Sequence, residues 1–445
     1  MRIACLHVPQ FALQSLTRVD RSLHGTPVAV VGSGLDAAGT ASRIALHSPV
    51  VQACSRAAWA LGVRLGMTAM QARSLDQSAR PELRVVGADA PTERETVRAI
   101  ADAVLGVSAI VDLGGRVGPG GAHLAMYCEV PSKTRGLAFG EKLVELLDEL
   151  GLTARVGIAD DRFTAWVAAT DHGDAPVVSV PRGGSAAFLA PRSLSLLAIT
   201  PEVLHMLEAL GIGTLGEFAA LPEPSVRTRT VAIESDFQAL ARGDSGHGLR
   251  AYAPEAAIRE DIAISPAIHC AAAIELVTSR CALRLAGRTR GASRLELTLT
   301  NAPGTADVPE RTVQIALDRA SGDADELADA IVATGELGEL GGITRLKLVV
   351  TGEALVGGLG VEQARAEREA LDAEIVDALA VVLSTSASSD LRNTWSLTPW
   401  SAPVGVQRNR RDAHQRTQRG KDRHRTLSGG AQARLFESSV GRGKP

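Results

Sequence analysis

Aromatic side chains make up only 3% of this 445-residue chain, which contains four Trp, two Tyr and seven Phe. So sparse a set excludes an extended platform on which successive bases of a single strand would stack. Cysteine is equally scarce: Cys5, Cys54, Cys128, Cys270 and Cys281 are scattered, odd in number and without a CxxC pair. That spacing excludes a cysteine metal cluster and argues against a disulfide framework, leaving each thiol as a small buried hydrophobe. No stretch of about 18 apolar residues occurs and the opening lacks a secretory pattern, so a cytosolic location without membrane contact is expected. Acids are missing from the opening segment as well: RIACLHVPQFA (2–12) has none, and the first is Asp20.

What is present reads as ordinary globular protein, 45% apolar and 22% charged. The length allows two to four domains. A formal net charge of −3 hides an asymmetry. Residues 407–445 hold 11 Lys/Arg against 3 Asp/Glu, whereas the remaining 406 residues hold 36 against 47. An acidic body is unsuited to gripping duplex DNA tightly by itself, so DNA contact is expected to be weak, nonspecific or assisted.

Residues 2–8 and PVAVV (27–31) read as short buried strands, with a helix between them from Phe11. The GSG that follows superficially opens a dinucleotide loop, but no acid stands where a ribose would need one, and a strand-end turn is the better reading. Segment 57–75 predicts two short helices broken at Gly62 and Gly66. Thr92 and Glu95 have capping-box spacing at the head of a helix reaching Val107. Then come a strand over 108–113, a Gly-rich loop over 114–121, a strand over 123–130, a helix over 137–150, a strand over 154–159 and a helix from Arg162. This β–α–β–β–α–β order predicts an α+β, ferredoxin-like split sheet.

Residues 201–222 change character. Two short helices flank Leu210-Gly-Ile-Gly-Thr214, a helix-hairpin-helix turn, and Gly211, Ile212, Gly213 and Thr214 become the candidate DNA-phosphate contacts. A purely structural helical hairpin is the alternative. Residues 260–352 predict a second α/β unit whose strands alternate Arg294, Glu296, Arg345 and Lys347 with leucines. Its partly basic sheet face suits a nucleic-acid backbone and suits bare solvent equally well. An amphipathic helix is expected over 362–383, and beyond 384 the composition predicts a disordered tail.

Taken together, PVAVV, the segment ACSRAAWALGV (53–63), GMTAMQA (66–72) and ARVGIA (154–159) resemble the Y-family DNA polymerases. The resemblance implies a right-hand fold: palm over 1–10 and 76–172, fingers over 11–75, a helix-hairpin-helix thumb over 173–245 and an α/β little finger over 246–355. Helix 356–383 and the basic tail 384–445 follow. RAAWALGVRLGM (56–67) with DAPTER (89–94) looks most like the ImuB-type, catalytically degenerate branch.

A two-metal polymerase holds its cations with clustered carboxylates about 3.5–4 Å apart. Carried over by position, His7 and Pro9 stand where the first acidic pair would be. Arg56 and Trp59 stand for the triphosphate-binding Tyr and Arg, and Arg162 and Trp166 for the palm lysine pair. The second acidic pair is replaced by LGGRVGPGGA and then His123 (113–123). No catalytic residue, metal or cofactor is therefore expected, because neither Pro nor a lone His holds hard Mg²⁺. Asp112 and Glu129 flank the Gly-rich segment and form the one conceivable relocated metal site.

Gln432-Ala-Arg-Leu-Phe436 in the tail resembles the pentapeptide by which bacterial polymerases dock on the sliding clamp. Leu435 and Phe436 would serve as apolar anchors and Gln432 as a rim amide. The expectation is a noncatalytic adaptor in damage-induced mutagenic translesion synthesis. By resemblance its partners are the sliding clamp, an error-prone replicative-type DNA polymerase, the RecA-like ImuA, and DNA. An active polymerase with a displaced metal site and a repair protein without clamp contact are the alternatives.

Overall fold

The computed structural model describes residues 1–32, 49–75, 82–118, 121–132, 134–170, 175–222, 236–246, 248–255, 257–265, 270–303, 309–335 and 342–355. The expected amphipathic helix and the tail with Gln432, Leu435 and Phe436 lie outside the described residues. The chain divides into two compact units, 1–255 and 256–445.

The first unit is organised by β1 (Ile3–Val8), whose six residues are all buried. It pairs antiparallel on one side with β6 (His123–Glu129) and on the other with β7 (Arg155–Ala159). With β5 (Val111–Val117) and β8 (Val177–Ser179) the sheet order is β5-β6-β1-β7-β8. The first four of these strands have the ferredoxin-like order that the element sequence predicts. Alternation along β1 sends Ile3 and Cys5 to one face, where they meet Tyr127 and the alanines of α6 (Arg162–Thr170). Ala4 pairs with Ile158, whose side chain lies against α5 (Gly136–Glu149). Gly157 makes room for α6: a Cβ there would sit 2.1 Å from the Ala165 carbonyl oxygen.

Between β1 and α4 (Ala90–Val104) the chain inserts α1 (Phe11–Val19) and a small sheet ordered β3-β2-β4. Its strands are β2 (Val28–Gly32), β3 (Val50–Cys54) and β4 (Arg84–Gly87), and α2 (Arg56–Ala60) and α3 (Ala69–Ser74) follow β3. After the palm-like sheet come α7 (Ser185–Leu189), α8 (Pro201–Ala209), α9 (Leu215–Ala219) and α10 (Asp236–Ala241). Leu189, Leu194, Leu207, Leu215 and Phe218 form their core.

Two local expectations are corrected. Helix α4 is capped by Asp89 with Pro in its first turn, so Thr92 lies inside the helix and donates its hydroxyl to the Asp89 carboxylate at 2.6 Å. The Thr92–Glu95 pair is therefore not a capping box. The expected Gly-rich loop is instead strand through Val117, with a register shift between Asp112 and Gly115. Gly114 makes that bulge possible with φ +59, where a Cβ would meet the Ala125 carbonyl oxygen at 1.9 Å.

The second unit contains β9 (Ile258–Ala263), α11 (Cys270–Gly287), β10 (Arg290–Asn301), β11 (Glu310–Ser321), α12 (Ala324–Val332) and β12 (Ile343–Leu355). Its antiparallel sheet is ordered β11-β10-β12-β9. Element order repeats that of the first unit, yet strand order does not, because here the last strand rather than the first takes an inner place. Leu295, Leu297, Leu299, Leu346, Leu348 and Val350 line the covered face and pack with Val277, Cys281, Leu285, Leu327 and Ile331. Sequence reading missed β9, which brings a carboxylate into that core: Glu260 accepts a hydrogen bond from Arg284 Nη1 at 3.0 Å, with both side chains at 0% exposure.

Removing one member of such a pair strands the other charge. Glu260→Ala is expected to cost the second unit about 3–5 kcal/mol in urea denaturation. Glu310→Ala, at an exposed strand end, should stay within about 0.5 kcal/mol.

Candidate functional site

The end of β1 and the start of β6 bring together His7, from the first expected acid position, and His123, from the segment that replaces the second. His7 is 6% exposed, and its ring centroid lies 5.1 Å from that of His123, tilted by 55°. Gln10 follows in the left-handed region, φ 50 and ψ 44. That conformation aims its backbone N–H at His123 Nδ1, 3.1 Å away, while its side-chain Oε1 accepts the Cys54 N–H at 2.9 Å. Phe11 N–H donates to the Ala122 carbonyl at 2.8 Å, closing the same corner. Pro9 offers only its carbonyl, which accepts from Gln14 Nε2 at 2.6 Å.

This arrangement fixes a chemistry. With Nδ1 of His123 accepting a hydrogen bond from the backbone, the neutral ring carries its hydrogen on Nε2 and presents no second lone pair. Among the described residues, no group of three or more His, Cys, Asp or Glu is placed to hold a metal ion. The donor set at His7 and His123 does not fit two hard, oxygen-seeking cations.

Asp112 does not join His7. Its Oδ1 accepts from the Gly114 N–H at 2.9 Å, and its Oδ2 accepts from Arg162 Nη1 and the Arg250 N–H, both at 2.8 Å. Arg162 and the candidate relocated acid thus neutralise each other, with the Arg162 guanidinium also 4.3 Å from the Tyr127 ring centre. Glu129 lies opposite Ile3, at the far end of β1 from His7.

In the finger-like insertion Arg56 is exposed at the start of α2. Trp59 is covered by Arg64, whose guanidinium sits 4.0 Å from the ring centre and donates to the Trp59 and Val63 carbonyls, each at 2.8 Å. Trp166 packs with Phe163 and Phe188 in the hydrophobic clusters around α6. Burial raises the Cys54 thiol to about 11 and the Cys128 thiol to about 12, leaving both protonated and unreactive. Arg116 lies over the Phe11 ring, 5.0 Å from its centre, and pairs with Glu93 at 3.6 Å. Burial pushes the Glu93 carboxyl up and the Arg116 guanidinium down, each opposed by its partner.

The helical hairpin stands where expected, with Gly211 at φ +80. Its amides are engaged within the chain, however. The N–H groups of Gly211 and Ile212 donate to the Glu208 and Leu207 carbonyls at 2.9 Å. Those of Gly213 and Thr214 both donate to Glu217 Oε2, again at 2.9 Å. Thr214 and Glu217 form a reciprocal capping box. A phosphate reaching Gly213 or Thr214 would have to displace a carboxylate from a hairpin that carries Glu202, Glu208 and Glu217 and no Lys or Arg over 201–221. The Thr-x-x-Glu spacing was readable in the sequence and would have found this.

On the uncovered face of the second unit, Arg345 holds Asp261 in a two-pronged pair at 2.8 and 2.5 Å. Gln314 donates to Glu296 at 2.6 Å, and Lys347 remains exposed opposite Thr298. The face is therefore mixed in charge, with Lys347 as an exposed cation at its centre.

Residues 6–170 match the impB/mucB/samB family. The DNA polymerase IV of Dehalococcoides mccartyi strain CBDB1 is 35% identical over 96 residues, covering 21% of this chain and 25% of that protein. That of strain BAV1 is 39% identical over 75 residues, 17% of this chain and 19% of that protein. The chain thus spans about a quarter or less of the curated relatives it matches. Among solved structures, DinB from Sulfolobus solfataricus gives a TM-score of 0.43 at 14% identity, over 80% of this chain and 100% of that one. The insertion ternary complex of Dbh DNA polymerase gives 0.44 at 14% identity, over 79% and 98%.

The Gly213, Thr214 and hydroxyl hydrogen bonds hold the exposed Glu217 carboxyl below its ordinary range. A carboxyl lowered in the folded state contributes its cap above the unfolded value and loses it as pH falls through the folded one. Amide NMR signals of Gly213 and Thr214 are therefore expected to stay constant at neutral pH and to shift only below about pH 4.5.

Proposed function

We propose that this chain is a noncatalytic, Y-family-polymerase-like adaptor in damage-induced mutagenic translesion synthesis. It links an error-prone replicative-type DNA polymerase and a RecA-like partner to the sliding clamp. The observation that carries the noncatalytic part is the His7–His123–Gln10 corner. The position that a two-metal mechanism would fill with carboxylates holds two imidazoles, one with its acceptor nitrogen committed to a backbone amide.

Recruitment rests on the tail peptide Gln432–Phe436, whose Leu435 and Phe436 stand in an otherwise polar, basic stretch. An apolar pair there has no core of its own to enter and suits a pocket on a partner. Weak contacts joined on one chain multiply, so modest affinity for DNA and clamp suffices to place the complex. DNA contact fits the uncovered second-unit sheet, with Lys347, Arg259 and Arg294, and the Arg-rich tail better than it fits the hairpin. The hairpin amides are already satisfied.

An active polymerase built on Asp112 is the second reading, and three donors already fill that carboxylate. Purified protein is expected to show no Mg²⁺-dependent primer extension. Extension lost on Asp112→Asn would sink the adaptor reading. Clamp affinity by calorimetry should fall at least thirtyfold in the Gln432→Ala/Leu435→Ala/Phe436→Ala variant, the loss of a central anchor worth about 2 kcal/mol or more. A wild-type chain that ignores the clamp would leave a repair protein of another kind.

A further inference from the structure

We propose that residues 248–255 form a releasable strap on the first unit, latched by Asp112. The inference goes beyond the adaptor reading and holds whether or not the chain polymerises.

The strap is held almost entirely by polar contacts. Arg162 holds its start: its Nη1 donates to the Gly248 carbonyl, and its backbone N–H to Ser245 Oγ, ahead of the strap, each at 3.4 Å. The Arg250 N–H donates to Asp112 Oδ2 at 2.8 Å. Tyr252 N–H then donates to the Val111 carbonyl at 2.7 Å, adding a bond along the outer side of β5. Tyr252 Oη donates to Asp102 Oδ1 at 3.0 Å, a carboxylate fully buried on α4. Glu255 closes the series in an ion pair with Arg98.

Asp112 is the joint of this arrangement. The same Oδ2 receives the palm cation Arg162 and the strap amide of Arg250, so removing the charge weakens two elements at once. The carboxylate is only 5% exposed, which makes both hydrogen bonds strong and their loss costly. By contrast, the strap itself buries little apolar surface. Leu249 alone packs against the hydrophobic cluster beneath it, and Arg250, Ala251, Ala253, Pro254 and Glu255 are exposed. A segment with few apolar contacts and exposed hydrogen bonds opens well below the global unfolding free energy.

Opening has a defined mechanical result. The second unit begins at Ala256, immediately after Glu255. Freed from Gly248 onward, the eight residues of the strap span up to about 27 Å when extended. A partner that competes for Asp112 or for Arg162 would therefore release the strap.

Hydrogen exchange of the full chain, read by mass spectrometry, tests this with two variants. Asp112→Asn keeps the shape of the latch and removes its charge. Tyr252→Phe/Glu255→Gln changes strap residues alone and loosens the strap from its own side. In both, peptides spanning 248–255 are expected to exchange at least tenfold faster, while peptides from β1 and β7 keep their wild-type rates. Strap exchange equal to wild type in either variant would overturn the latch. Equal acceleration of strap and palm peptides in both would overturn it too, since the strap would then be part of the core. Clamp binding and primer extension report separately on the adaptor reading.

Discussion

A strand buried on both faces is a poor place for unneutralised charge, and β1 is such a strand. Carboxylates at its end are tolerable when cations share the site; without cations, adjacent acids repel each other in a dry environment. His7, Pro9 and His123 resolve this constraint by carrying no obligatory charge. Once the acids are absent, the corner needs another means of closing, and Gln10 supplies it by joining β6 to the finger-like sheet through one amide and one side-chain oxygen. The strained backbone of Gln10 is tolerated because both hydrogen bonds over-determine it.

The same economy governs the charges nearby. Asp112 pairs with Arg162, Glu93 with Arg116, and Arg64 lies on Trp59. Arg162, Arg116 and Arg64 are thus committed inside the protein, while Arg56 stays exposed. The polar groups of this corner are engaged in holding the fold.

Element order was the most legible part of the sequence. Apolar alternation located β1, β6, β7, β10 and β12, and helical spacing located α4, α5 and α11 within a few residues. Long-range partners were not legible. Glu260 and Arg284 meet only because β9 pairs with β12, a register no local pattern encodes. Asp112 looked like a strand-end acid because Arg250, its partner in the strap, lies 138 residues away in the chain. The Gly-rich segment misled by composition: glycine marked a bulge inside a strand rather than a loop. Glu217 shows the opposite failure, a local signal present and unused.

Strand β11 carries one more consequence. It ends the second unit's sheet, and its 12 residues present a long row of backbone donors and acceptors along an outer side. Such edges invite another chain to add a strand, the first step of edge-to-edge aggregation. Glu310, Arg311, Asp318 and Arg319 are exposed along it and place charge of both signs where a neighbouring strand would have to lie. At this edge surface charge opposes the pairing of one copy with another.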